Sequence, residues 1–326
     1  MSRKLRWGVL GAAGIAVKKV IPGMRQSRLC EVAAIASRDP EKAAAAAAQL
    51  DIPAYYGSYE AMLKDPDIDV IYNPLPNHLH VPWSIKALEA GKHVLCEKPL
   101  GLSSEEIRSL IAVRNRTGLQ AGEAFMVKTH PQWVRVKDLV DSGQLGRLRA
   151  VECWFSYDNR DPQNVRNVAE YGGGGLMDIG CYPIFIARLL FGEEPVRAKG
   201  ALEFDPVFKT DRLASAVLEF PSGHCAFTCS TQIAPAQRVV AICEQARIEV
   251  EIPFNAPPER ACRIFVDPGS DLAGGSRQEE TFPACDQYGI QADEFTRAVL
   301  GEREVPVPLE NSLGTMAVIE QLRAGA

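Results

Sequence analysis

The chain has no Cys-x-x-Cys spacing, no block of Lys and Arg, no apolar run of membrane length and no internal repeat. Each absence removes a class of protein. Without clustered cysteine and histidine there is no zinc-ribbon or zinc-finger pattern. Charge is spread along the chain, 36 basic against 41 acidic residues for a net −5, so nucleic-acid binding is not expected. The start, "MSRKLRWGVLG", is basic, but its apolar part is too short for a secretory core and runs into a glycine turn. A soluble, cytoplasmic protein with no membrane partner is the expectation. The nine cysteines are odd in number and several lie inside apolar runs ("VLCEK", "VECWF", "AICEQ"), which suits reduced, buried thiols. Cys225 and Cys229 beside His224 are the tightest cluster. They fall in an alternating, strand-like run, and no metal is expected there.

What is present is a change of rhythm near residue 122. Before it, Val/Ile-rich runs alternate with helical ones: "RWGVLG" then "IAVKKVIPGMRQS", "EVAAIAS" then "DPEKAAAAAAQL", "VIYN" then "HLHVPWSIKALEA", "HVLCE" then "SSEEIRSLIAVRNRTG". Continuous apolar strands separated by helices indicate a parallel sheet covered on both faces. After it, a helix near 131–142, "LRAVECWFSY" and a helix near 177–191 lead into six strand candidates in series. Pro221-Ser222-Gly223 makes a hairpin between two of them. Two helices near 289–300 and 310–323 close the chain. The expected fold is α/β: an N-terminal Rossmann dinucleotide-binding domain over 1–122, and a C-terminal α+β domain over 123–326 with a large, open, mostly antiparallel sheet. The last helix is a candidate to pack back on the first domain.

Three stretches carry chemistry. The first is "WGVLGAAGIA". Gly11, Ala13 and Ala16 occupy the three small-residue positions of a dinucleotide turn. Gly14 and Ile15 open the helix whose free amides favour an anion. At the end of the next strand, where Asp or Glu would accept from an NAD ribose, stand Ser37 and Arg38, with Lys42 one turn into the following helix. A guanidinium and a hydroxyl suit a 2′-phosphate, so NADP is favoured over NAD. Asp39 leaves the NAD alternative open.

The second is "HVLCEKPLG". Glu97, Lys98 and Pro99 leave a strand at its carboxyl end, where open α/β sheets bind ligands. Pro99 restricts Lys98 to extended backbone, and the bond between them is a candidate for cis. Proline past a strand is also ordinary punctuation. The preceding strand ends in "YNPLPNHLHVPW", whose Leu75, Pro76 and Asn77 would run beside a bound cofactor. Asn77 is a candidate helix cap, and His80 a ribose or structural contact. The third is "EYGGGGLMDIGCYP", a four-glycine loop able to approach a ligand, with Asp178 and Tyr182 four residues apart on the following helix. An N-cap and a half-buried tyrosine would explain the last two equally well.

Together these stretches resemble, essentially from end to end, the glucose–fructose oxidoreductase/inositol dehydrogenase/MocA family. The "GGGGLMDIGCYP" stretch is most similar to the branch with NADP-dependent D-xylose dehydrogenases and dimeric dihydrodiol dehydrogenases. Inositol dehydrogenase-like members carry His where this chain has Tyr182, and Ala13 departs from the usual middle glycine. The resemblance implies hydride transfer between nicotinamide and a carbinol carbon of a sugar, polyol or dihydrodiol. It also implies a homodimer or homotetramer through the C-terminal sheet. Lys98 and Tyr182 are then expected to meet beside the nicotinamide, Tyr182 as base and Lys98 as the charge that lowers its pKa, with Asp178 orienting substrate or tuning Tyr182 from one helical turn away. Arg166, Asn164, Phe125, Lys128 and His130 are candidate substrate contacts by chain position. The competing reading is a non-catalytic NAD(P)-binding regulatory protein, which would have no need to keep Lys98 and Tyr182.

Overall fold

A computed structural model describes residues 3–325. The chain divides into two units: residues 1–129 with 286–313, and residues 130–285 with 314–326. The first break falls seven residues later than the expected boundary at 122. Residues 286–313 rejoin the first unit instead of staying in the second. Trp7 explains part of that return: it is fully buried and meets Phe295 edge-to-face at 5.8 Å, so the first strand needs the helix Gln287–Val299 to close its core.

The first unit holds six parallel strands, β1 (Leu5–Leu10), β2 (Cys30–Ala36), β3 (Ala54–Tyr56), β4 (Val70–Asn73), β5 (His93–Glu97) and β6 (Ala121–Ala124). Their order is β3-β2-β1-β4-β5-β6, which puts the reversal of strand order between β1 and β4. β4 is buried at every residue, as a strand covered on both faces should be. Two helices start where the sequence says they should. Asp39 accepts from the Glu41 and Lys42 amides ahead of Pro40–Gln49, and Ser103 accepts from the Glu106 amide ahead of Ser104–Thr117. Gly118 closes the latter helix in the left-handed region.

The second unit is built on eight strands: β7 (Leu148–Asp158), β8 (Arg197–Phe204), β9 (Asp211–Glu219), β10 (His224–Ser230), β11 (Gln232–Cys243), β12 (Arg247–Val250), β13 (Cys262–Asp267) and β14 (Gln278–Phe282). They lie in the order β14-β13-β12-β11-β7-β10-β9-β8, antiparallel throughout except for the parallel pair β7–β10. The 221–223 turn joins β9 to β10 as expected, with Glu219 opposite His224. Alternation along β7 and β10 buries Val151, Cys153, Phe155, Cys225, Phe227 and Cys229 on one face. Trp154 and Val217 remain 46% and 50% exposed on the other. His224 is exposed while Cys225 and Cys229 are buried, so the three side chains point to opposite faces. Burial raises both thiols, and all nine cysteines are free.

Three strands fall outside the expected set: β3, β6 and β14. All three are short strands of three to five residues at the ends of their sheets, so they carry little apolar pattern. The stretch Ala169–Phe191 corrects a second expectation. It is long and apolar enough to cross a membrane by composition, yet 89% of its apolar window is buried within the protein, as in a core helix.

Candidate active site

In the first unit, β1 delivers Gly11 with φ +83°, its amide donating to the Ala36 carbonyl at 2.7 Å. A Cβ there would lie 3.0 Å from the Leu75 side chain, so the turn requires glycine twice over. Ala13 and Ile15 are half-buried, and Ala16 is fully buried where helix meets strand. Gly14 is exposed, and a Cβ on it would meet nothing within 4 Å. The corner thus leaves the Gly14 side open at the start of the helical run, where free amides favour an anion. A wide π-type turn, Ala16–Val20, follows at once.

At the end of β2 the carboxylate of Asp39 caps the next helix and pairs with Lys42 at 3.8 Å. Ser37 Oγ, buried, accepts from the Asp39 amide at 3.1 Å. Lys42 therefore has its charge offset locally, and exposed Arg38 is the cation at the strand's end. Tyr59, 5% exposed, has its phenol pKa raised by burial, with the Arg38 guanidinium acting against that rise as a charge and as a hydrogen-bond donor. The Tyr59 hydroxyl is also 3.6 Å from the position of a Cβ on Gly11, which links Arg38 to the dinucleotide turn. Sequence reasoning did not select Tyr59, since "GSYEAM" reads as a plain helix start.

The loop after β4 is fixed by Asn73, fully buried, whose amide donates to the His80 carbonyl at 3.0 Å and to Ser84 Oγ at 3.1 Å. Asn77 does not cap the helix His80–Glu89. It opens a short 3₁₀ turn, Asn77–Leu79, and the helix starts from Leu79 with no side-chain cap bond. Leu75 is buried, whereas Pro76 and Asn77 are half-buried. His80 is also not a ribose contact. It is 1% exposed, with Nδ1 2.8 Å from the Pro99 carbonyl and Nε2 2.6 Å from the Leu75 carbonyl. Both ring nitrogens face backbone carbonyls, and the neutral ring donates its one N–H to one of them. Burial pushes its pKa down to about 4, opposed by the two carbonyls.

The Lys98–Pro99 bond is cis, and the backbone around Lys98 is held on both sides. The Glu97 carboxylate accepts from Tyr72 Oη at 2.6 Å and from the Lys98 amide at 3.3 Å. His80 meets the Pro99 carbonyl, and the Leu100 amide donates to buried Glu123 at 2.8 Å. Glu123 in turn accepts from Ser312 Oγ at 2.6 Å. Tyr72 stays a phenol, because burial and then the Glu97 charge both raise its pKa. Three anchors on one short segment answer why the chain follows a strand with Glu-Lys-Pro: Lys98, half-buried, sits on an immobilised backbone.

Of the residues expected at a substrate, Phe125 is 1% exposed. His130, also 1% exposed, caps Pro131–Asp141 by accepting from the Gln132 amide at 3.2 Å, and its Nε2 lies 3.5 Å from Cys285 Sγ. Lys128 and Asn164 are half-buried.

In the second unit, a π-type turn Leu176–Gly180 runs into the helix Cys181–Phe191. Asp178, 8% exposed, accepts from Tyr157 Oη at 2.6 Å and pairs with Arg166 Nε at 2.9 Å. Arg166 thus serves Asp178, whose charge holds the guanidinium above its usual pKa. Burial, then the Asp178 charge, keeps Tyr157 protonated. The ring of Tyr182, 5% exposed, is set by Phe155 (5.6 Å, edge-on) and Phe254 (5.1 Å), which themselves stack at 4.6 Å. Tyr182 is coupled electrostatically to Arg166. Tyr157 escaped sequence reasoning, although its place two residues after inward-facing Phe155 was a usable signal. The four-glycine loop differs from expectation in what it approaches. A Cβ on Gly173 would lie 2.4 Å from the Arg166 carbonyl oxygen, so its close neighbour is the chain itself. Among the described residues no three His, Cys, Asp or Glu side chains gather as a metal site.

Residues 5–125 match the model of the oxidoreductase family with an NAD-binding Rossmann fold, and residues 133–249 match the GFO/IDH/MocA C-terminal domain. The chain belongs to this family, and with it to the NAD(P)-dependent dehydrogenases. It is 47% identical to an uncharacterized oxidoreductase of Rhizobium meliloti over 99% of this chain and 97% of the relative. It is 36% identical to the D-xylose 1-dehydrogenase (NADP(+)) 2 of Haloferax volcanii, again over 99% and 97%. Among solved structures, the 3-ketoreductase KijD10 of Actinomadura kijaniata, in complex with NADP and TDP-benzene, superposes with a TM-score of 0.90 at 30% identity, covering 99% of this chain and 98% of that one.

Proposed function

We propose that this protein is an NADP-dependent oxidoreductase acting on a carbinol or carbonyl carbon of a sugar, polyol or dihydrodiol, with a D-xylose 1-dehydrogenase-like reaction favoured. One observation carries the cofactor choice: Asp39 turns its carboxylate into the helix and onto Lys42, leaving Arg38 as the charged group at the end of β2. Gly11, Ala13, Gly14, Ile15 and Ala16 would hold the pyrophosphate. Ser37 and Arg38 would meet the 2′-phosphate, and Leu75, Pro76 and Asn77 would line the cofactor's path. The nicotinamide, when bound, supplies the hydride acceptor or donor. Tyr182 takes the substrate hydroxyl proton in oxidation and returns it in reduction. Lys98 supplies positive charge, and Asp178 fixes Arg166 and Tyr157 around the tyrosine's helix. NADP-linked relatives that oxidise D-xylose, and ketoreductases of similar structure, support this reading in both directions. The uncovered sheet face, with Trp154 and Val217 exposed, supports self-association of the chain.

The test is a screen of pentoses, hexoses, their keto forms and diols with NADP⁺, NADPH, NAD⁺ and NADH, followed at the reduced-nicotinamide absorbance. Turnover of a sugar or diol with the phosphorylated cofactor is expected. Preference for NAD across every active substrate refutes the cofactor assignment.

A further inference from the structure

We infer that Asp211, on β9, is a positioning residue that sets the corner from which Asp178 and Tyr182 are presented. This rests on the roles proposed above for those two residues. Asp211 is 2% exposed, and its Oδ2 accepts from the Leu176 amide at 2.5 Å. The Gly175 amide is a second donor to the same carboxylate. Gly174, with φ +114°, lets the chain pass: a Cβ there would lie 2.2 Å from Asp211 Oδ1. From this corner the π-type turn rises to Asp178 and continues to Tyr182. One carboxylate thus satisfies amides at the start of a helix that has no side-chain cap of its own. Rotating or releasing that corner moves both functional side chains together.

The corner responds to acidity. Burial is the largest influence on the Asp211 carboxyl and brings it up to about 6, with the Leu176 amide and Arg323 opposing. The other ionisable groups around it are Cys229 on β10, which faces Asp211, Cys181 and Asp178. Arg212, next along β9, is turned toward Glu203 and Asp205. Protonation replaces an acceptor by an O–H facing amide N–H groups, and the corner loosens. Stability moves the other way. A carboxyl whose pKa is higher folded than unfolded binds more protons in the folded state, so this group's contribution to stability rises as pH falls from 6 toward 3.8. Turnover lost without loss of fold is therefore the signature, one that a merely structural role does not give.

The experiment compares kcat across pH 5–9 for the wild type, Asp211→Asn and Tyr182→Phe, with NADP affinity and thermal midpoint measured in parallel. In the wild type, kcat is expected to decline below about pH 6. In Asp211→Asn, which keeps one acceptor but cannot titrate, kcat is expected to drop by about 10–100-fold, the scale of a small misplacement. Its acid limb should vanish and its NADP affinity should hold. Wild-type kcat and an unchanged acid limb in Asp211→Asn, alongside a slow Tyr182→Phe, overturn the role of Asp211 alone. A fully active Tyr182→Phe removes the proposed site and this inference with it. Should Asp211→Asn not accumulate as folded protein, Asp211→Ser, whose hydroxyl still accepts one amide, is read against the same outcomes.

Discussion

Replacing His80 by alanine tests whether the Lys98 turn is clamped from behind. The imidazole is 1% exposed and bridges two carbonyls, Leu75 at 2.6 Å and Pro99 at 2.8 Å. A neutral ring has one N–H and donates to one of these carbonyls, so removing it leaves that acceptor facing a small buried hole. A buried polar group deprived of its partner costs about 1–3 kcal/mol. One such group sets the expected loss at about 2 kcal/mol. The loss is also local to the site: with Pro99 freed, one of three anchors on the 97–100 segment is gone, and kcat is expected to fall about tenfold or more. Urea denaturation gives the first quantity and steady-state kinetics with saturating cofactor the second. His80→Gln, able to donate to one carbonyl, should recover part of both. A His80→Ala protein within about 1 kcal/mol of wild type and with its full kcat would refute the clamp.

Lys98→Ala and Tyr182→Phe should each lower kcat by about 10²-fold or more while NADP still binds, read by single-turnover kinetics and cofactor titration; normal turnover in both removes them from the mechanism. Arg38→Ala should weaken NADP far more than NAD, and Tyr59→Phe should do so to a smaller degree, as calorimetric titration with each cofactor will decide. Equal losses for the two cofactors defeat the 2′-phosphate assignment. Burial lowers the His130 pKa to about 4, so this neutral cap supports the fold above pH 6.5 and that support drains away as pH falls toward 4. It is worth up to about 3 kcal/mol. His130→Asn, which caps without titrating, should flatten the stability profile between those values, and an unaltered slope removes the explanation. Trp154→Glu on the open sheet face should shift the sedimentation coefficient toward a monomer if copies join there; no change at any concentration rules out that face.

The sequence by itself determined the elements whose causes are local. Four of the six parallel strands announced themselves as apolar runs, and two helix starts as Asp39-Pro40 and Ser103. The Gly11 turn was legible because a positive φ and a tight approach to Leu75 leave no other residue to use. Arg38, Lys98 and Tyr182 could be singled out because charge, a following proline and a glycine loop are features of neighbouring residues. What only tertiary structure decided is which side chain faces which. His80 looked like a site residue and is a buried one, held between the backbone carbonyls at positions 75 and 99. Tyr157 and Asp211 carry no motif, yet each meets the Gly174–Asp178 corner from a strand far along the chain, Asp211 from 35 residues beyond Leu176. The return of residues 286–313 to the first unit has the same origin. Burying Trp7 takes a ring supplied nearly three hundred residues later, and a pairing of that span leaves no periodicity for a sequence to display.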